Sequence, residues 1–280
     1  MTNFRTSCIF RFSKEFSSIK KVIKSGIIPN YCEEDLSFDD KQIVIGIPMA
    51  CFCDIPLTLM EEQNKRYGEY GIGLTKEWAL KNEIAPVMYI ANDIDLKPYC
   101  YINQNIENTS AVVNSKAFSE EYRRKTIFQG FPVAMYIQTL ELEKEQDLCA
   151  TSVRCFKKYE GQYKNKPINN YLENEWRYIV LESEKIKWKW SKEEYESWRF
   201  PSGIKNKKKP APSSELKEFT LTFTPEDVKY ILVKDDDSKS KMIEYIKTLQ
   251  MFGGSTPIAD KDRYDIISKI ITMKQVQEDF

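Results

Sequence analysis

The chain has 280 residues and a mass of 32.9 kDa, with 42 basic and 42 acidic side chains, so no net field favours nucleic acid over other partners. It contains no histidine, which excludes Ser-His-Asp and Cys-His relays, His-bearing zinc protease helices and His-dependent ribonucleases, and leaves chemistry to carboxylates, hydroxyls, guanidinium groups and backbone. A hydrophobic fraction of 41% marks an ordered globular chain, yet no apolar run reaches the about 20 residues of a bilayer span and no signal-peptide core opens the sequence, so the expectation is a cytoplasmic protein with no membrane contact.

Residues 7–12, SCIFRF, read as a first strand. Ser13 then suits the N-cap of a helix from about Lys14 to Lys24, in which Phe16, Ile19, Val22 and Ile23 keep helical spacing and Gly26 supplies the stop. After Pro29 and an acidic loop, QIVIGIPMACFCDI is a long strand bounded by Pro56. LTLMEEQNKRY reads as a helix, YGEYGIGLT as a glycine-rich strand approached by other backbone, KEWALKN as a short helix and PVMYIA as a further strand. From Asn92 to Thr151 the pattern turns helical, which implies a helical insertion between two halves of a sheet. Strands resume with VRCFKKY and EWRYIVLE, a basic Pro/Ser-rich loop follows at GIKNKKKPAPSSE, and EFTLTFTPEDVKYILVK reads as strand, proline-initiated turn and strand. The tail, residues 238–280, reads as amphipathic helix and docking terminus. Short strands interspersed with short helices imply one mixed α+β domain over residues 1–280.

Four constellations carry chemistry. Glu173-Asn174-Glu175 stands directly before a strand, and two carboxylates at i and i+2 of an extended segment share one side, so that one can stabilise developing positive charge while the other positions or deprotonates a nucleophile; a salt-bridged strand edge with Arg177 or nearby lysines is the structural alternative. Arg11 is a charge inside an apolar strand, suited either to a phosphate or carboxylate fork or to an Arg–Glu structural pair. The Tyr67-Gly68-Glu69-Tyr70-Gly71-Ile72-Gly73 run forms either a slot for a flat ring or a glycine-rich sheet core, and its glycine order is not that of a dinucleotide-binding fingerprint. Four lysines among residues 205–209 form either a phosphate contact or a solvated turn. The seven cysteines are expected as reduced thiols, and the Cys51-x-Cys53 pair lacks the second pair or the histidines of a zinc site, so no metal is expected.

The runs PMACFCDIPL, YGEYGIGLTKEW, PVMYI, LENEWRYI and ISKIITMKQVQEDF, in that order along nearly the whole chain, resemble the AbiGi-like abortive-infection proteins of bacterial phage resistance. That family in turn resembles ADP-ribosyltransferases of the DarT and RNA 2′-phosphotransferase kind, whose first strand carries a histidine in an H-F-T-like sequence. Here Arg11-Phe12-Ser13 stands instead, and Gln63 stands where family members tend to have a histidine. The resemblance implies an ADP-ribosyltransferase-like mixed split sheet with flanking helices, NAD as substrate and a nucleic-acid or protein acceptor. It further implies Glu175 at the ribose hydroxyl and developing cation, Glu173 at the acceptor nucleophile, Arg11 at the pyrophosphate, Ser13 ordering the cofactor, and Tyr67 or Tyr70 stacking on nicotinamide. The rival expectation is a catalytically inactive antitoxin or sensor that binds a partner toxin or a phage product.

Overall fold

The computed structural model describes residues 6–35, 44–91, 155–163, 166–180, 186, 191–201, 203–204, 210–254 and 256–279. The expected insertion over 92–151 and the lysine loop 205–209 lie outside the described residues. The chain divides into two compact units, one of residues 1–34, 44–87 and 160–280, the other of residues 35–43 and 88–159.

In the first unit β1 (Cys8–Ser13) leads into α1 (Phe16–Ser25), then β2 (Asn30–Asp35) and the long β3 (Val44–Cys53). A 3₁₀ turn at Leu57–Leu59 precedes α2 (Glu61–Tyr67), β4 (Tyr70–Thr75), α3 (Lys76–Lys81) and β5 (Ala85–Pro86). The second unit contributes β6 (Met88–Ile90) and β7 (Phe156–Lys158), which pair in parallel, with Phe156 buried. Back in the first unit come a hairpin of β8 (Glu160–Tyr163) and β9 (Lys166–Asn169), a 3₁₀ turn at Asn170–Glu173, β10 (Glu175–Ile179), α4 (Lys192–Arg199) and β11 (Val228–Val233). The chain closes with α5 (Asp236–Thr248), the short pair β12 (Met251–Phe252) and β13 (Thr256–Pro257), α6 (Asp260–Ser268), β14 (Ile270–Thr272) and α7 (Met273–Asp279).

The first unit is built on an eight-stranded sheet in the order β14-β11-β4-β1-β3-β10-β5, with β2 also paired to β3. Pairings along this order are antiparallel except that between β11 and β14, so the sheet is mixed, as the α+β reading requires. The architecture is a mixed α+β sheet with flanking helices.

Strand alternation gives this sheet two covered faces. Ile9, Ala50, Phe52, Ile72, Leu74 and Ile231 join one cluster with Ile19 and Ile23 of α1, Trp78 of α3 and Met242 and Ile246 of α5. Cys8, Phe10, Cys53 and Leu232 join the other with Ile55, Met60, and Met273 and Val276 of α7. Each fully buried Phe or Ile on these faces contributes about 2–3 kcal/mol from area removed from water. A smaller cluster gathers Tyr31, Val180, Ile186, Tyr195 and Leu216 around α4.

Three local readings change. α1 begins at Phe16 behind an N-cap at Glu15 rather than at Lys14, because Ser13 remains in β1 opposite Tyr70 and turns its hydroxyl to the Glu15 backbone N–H at 3.1 Å. The expected strand at EFTLTF is a 3₁₀ turn at Glu215–Phe219 followed by a single bridge from Leu221 to Ile27. The tail is not helix throughout: β14 interrupts it and lies parallel to β11, with Ile231 opposite Ile270 and Val233 opposite Thr272.

Candidate functional site

The singled-out residues fall into three polar groups, separated by the register of the sheet. Phe10 pairs with Cys53, and Cys53 with Glu175, so these three side chains stand in one row and share a face. Arg11 is the next residue along β1 and projects from the other face, where Ile9 and Ile72 also lie. Glu175 and Arg11 are therefore on opposite sides of the sheet, and the single cleft implied by the transferase resemblance does not assemble from this pair.

On the Arg11 face, Arg11 is half-buried, donates from Nη1 to the Cys51 carbonyl at 3.2 Å and has its guanidinium 6.0 Å from the Phe52 ring centroid. Among the described residues it has no carboxylate partner, so the Arg–Glu structural pair does not form. Two residues on, Ser13 lies on the same face opposite Tyr70. The Tyr70 ring is 5.6 Å from that of Phe16, and its hydroxyl is 3.4 Å from Ser238 Oγ at the start of α5. The structure thus brings Arg11, Ser13 and Tyr70 to one end of one face, a positively charged group with hydroxyls and an aromatic ring beside it.

Glu173 belongs to a second group. It ends the 3₁₀ turn and is followed by Asn174 in the left-handed region at φ 41°, so the segment is not extended and the two glutamates do not share a side by strand alternation. Glu173 is 2% exposed, accepts from the Tyr67 hydroxyl at 2.7 Å and lies 2.6 Å from Arg66 Nη1. Tyr67 is brought to Glu173 and not to Tyr70, because α2 ends at Tyr67 and Gly68 reverses the chain into β4. Gly68 has φ 108°, and a Cβ there would lie 2.2 Å from the Ser13 carbonyl oxygen.

Glu175 centres the third group. Its Oε1 is 2.7 Å from Arg177 Nε, and Arg177 Nη2 reaches Glu34 Oε1 at 2.8 Å, so one arginine 1% exposed at its side chain serves two carboxylates. Burial opposes the Arg177 charge, but Glu34 and Glu175 outweigh it and hold the guanidinium pKa well above its ordinary value. The structural alternative for Glu175 is thus the one observed, extended by Glu34. Near the end of β3, Asp54 pairs with Lys76 at 2.7 Å, and its backbone N–H donates to the Asn174 carbonyl at 3.0 Å.

The glycine-rich strand is a mostly buried interior strand of the sheet, between β11 and β1. Gly73 lies against the Phe10 ring, which a Cβ would approach to 2.7 Å, so the missing side chain admits Phe10. Sequence reasoning missed Arg66 and Glu34, whose partners lie far along the chain; no local spacing signals such pairs. Among the described residues no cluster of cysteines and acids has the form of a metal site, and no helix is long and apolar enough to cross a membrane.

A family model described as "Putative abortive phage resistance protein AbiGi, antitoxin" matches residues 25–234. The abortive phage resistance protein AbiGi of Lactococcus lactis subsp. cremoris is 28% identical over 244 residues, which cover 84% of this chain and 89% of that protein. No solved structure matches the chain. The region matched by the family model takes in β3, β4 and the Glu173–Arg177 segment. By the length of this match, the chain belongs to the AbiGi family of abortive phage resistance proteins.

Proposed function

We propose that the chain works by binding, as the antitoxin of an abortive-infection pair that restrains a partner toxin, and that it does not transfer ADP-ribose through Glu175. The observation that carries this reading is the projection of Arg11 and Glu175 from opposite faces of one sheet. A transferase must grip the pyrophosphate and present a carboxylate to the ribose of the same bound NAD, with both groups on one side. The glutamates are, moreover, engaged by arginines: the buried Glu173 by the half-buried Arg66, and Glu175 by the buried Arg177. The description of the matching family as an antitoxin agrees with this reading. The test is expression alone and together with a candidate toxin encoded beside it. Harmless expression alone, with growth restored to cells carrying the toxin, is the expected outcome; toxicity on solo expression that Glu175→Gln abolishes while the protein stays folded would reverse the reading.

A second reading keeps NAD as ligand or substrate, with a nucleic-acid or protein acceptor. The half-buried Arg11, lacking a carboxylate among the described residues and sharing its face with Ser13 and Tyr70, favours it. It predicts that NAD raises the unfolding temperature by linkage and that Arg11→Ala removes the rise. An unchanged melting curve at millimolar NAD would discard it.

A further inference from the structure

The helices α1 and α5 pack on one face of the sheet and leave an open groove of about 570 Å³ between them. Each buries one apolar stripe, Ile19 and Ile23 from α1 and Met242 and Ile246 from α5. The adjoining stripes line the groove, Phe16 and Lys20 at i and i+4 on one bank, Lys241 and Tyr245 at i and i+4 on the other. The Tyr245 hydroxyl donates to the Lys20 carbonyl at 3.0 Å and ties the two banks together. Over the aromatic rings stands the half-buried Lys20, its Nζ 4.3 Å from the Tyr245 ring centroid and 5.8 Å from that of Phe16.

The two banks differ in charge. On α5, Lys241 pairs with Asp237 and Glu244 with Lys247, so these charges cancel within the helix. On α1 the charged side chains are Lys20, Lys21 and Lys24, and none of the three has a carboxylate partner among the described residues. Lys24, in the last turn, complements the helix dipole, whereas Lys20 and Lys21 stand in mid-helix. We propose that the groove is the docking site for an acidic amphipathic segment of the partner toxin, a carboxylate of which meets Lys20 while its apolar side chains lie against Phe16 and Tyr245. The docking site rests on the antitoxin reading. A peptide suits the groove better than a nucleic-acid strand for two reasons. Lys20 occupies the ring faces on which bases would stack, and Glu244 in the lining, with Asp236 and Asp237 at the head of α5, repels a run of phosphates.

The test measures binding kinetics between the full chain and the purified candidate toxin encoded beside it, with the folding of each variant checked by circular dichroism. Lys20→Glu is expected to weaken the complex about tenfold, and the double variant Lys21→Glu with Lys24→Glu to slow association and flatten its salt dependence. Lys274→Glu, the same charge reversal on α7 over the opposite face, leaves the affinity unchanged. If Lys20→Glu does not fold, the double variant decides. Wild-type binding in both groove variants, or an equal loss in Lys274→Glu, overturns the docking site and leaves the antitoxin reading standing. A candidate toxin that does not bind the wild-type chain removes the antitoxin reading and the docking site with it. A single-stranded oligonucleotide bound by the wild type and released by Lys20→Glu would assign the groove to nucleic acid and overturn the proposal.

Discussion

At the scale of single residues, buried charge is held in place by named partners. Removing Glu173 leaves Arg66, 15% exposed at its side chain, without that carboxylate, and breaking a buried pair from one side costs about 3 kcal/mol. Glu173→Ala should therefore lower the urea midpoint strongly, and Glu173→Gln, which still accepts from Tyr67, should lower it less. At the head of α5, Asp235 accepts from the Ser238 backbone N–H at 2.9 Å, and this bond first, with the Ser238 hydroxyl second, holds its carboxyl below the ordinary value. A folded pKa below the unfolded one stabilises fully above the unfolded value, roughly 3.9, and the benefit is lost as pH falls through the folded value. The difference in melting temperature between wild type and Asp235→Ala should accordingly be constant from neutral pH to about pH 5 and narrow in more acid solution. The sequence showed Glu175 beside Arg177 but not Glu34, and it showed Glu173 without Arg66, because each missing partner arrives from another part of the chain only when the sheet closes.

At the scale of elements, the reversals between helices and strands set where the candidate residues go. Gly68 stops α2, adopts a φ of 108° and passes so close to Ser13 and Lys14 that a Cβ would come within 2.2 Å of backbone. Gly68→Ala should cost roughly 3 kcal/mol in denaturant unfolding through strain and forced separation of β1 from the α2–β4 corner. Gly73 acts differently, since its contact is with the Phe10 ring, so Gly73→Val should displace that ring and destabilise through overpacking by about 1–3 kcal/mol. The strand character of β1, β3, β4 and β10 and the helical spacing of α1 were legible, because apolar alternation and periodicity are local. β14 was not: IIT continues the helical spacing of the residues before it, and only the unpaired edge of β11 makes it a strand.

At the scale of the whole molecule, the first unit is organised by a sheet covered on both faces, and its interior strands are tied on both edges. β1 lies between β4 and β3, and β4 between β11 and β1. Amide exchange should be slowest in β1 and β4, reaching the global unfolding limit, whereas the separate β8–β9 hairpin should exchange about a hundredfold faster by local opening. Composition determined an ordered chain without histidine chemistry, while local periodicity gave the α+β class and the spaced runs from PMACFCDIPL to ISKIITMKQVQEDF carried the family, since these last two are properties of residues in order. Only the tertiary structure decided which candidates could act together. A strand turns alternate side chains to opposite faces, so the register of β1 on β3 and of β3 on β10 sends Arg11 to one face with Ser13 and Tyr70 and Glu175 to the other with Arg177, a separation that no spacing along the chain expresses.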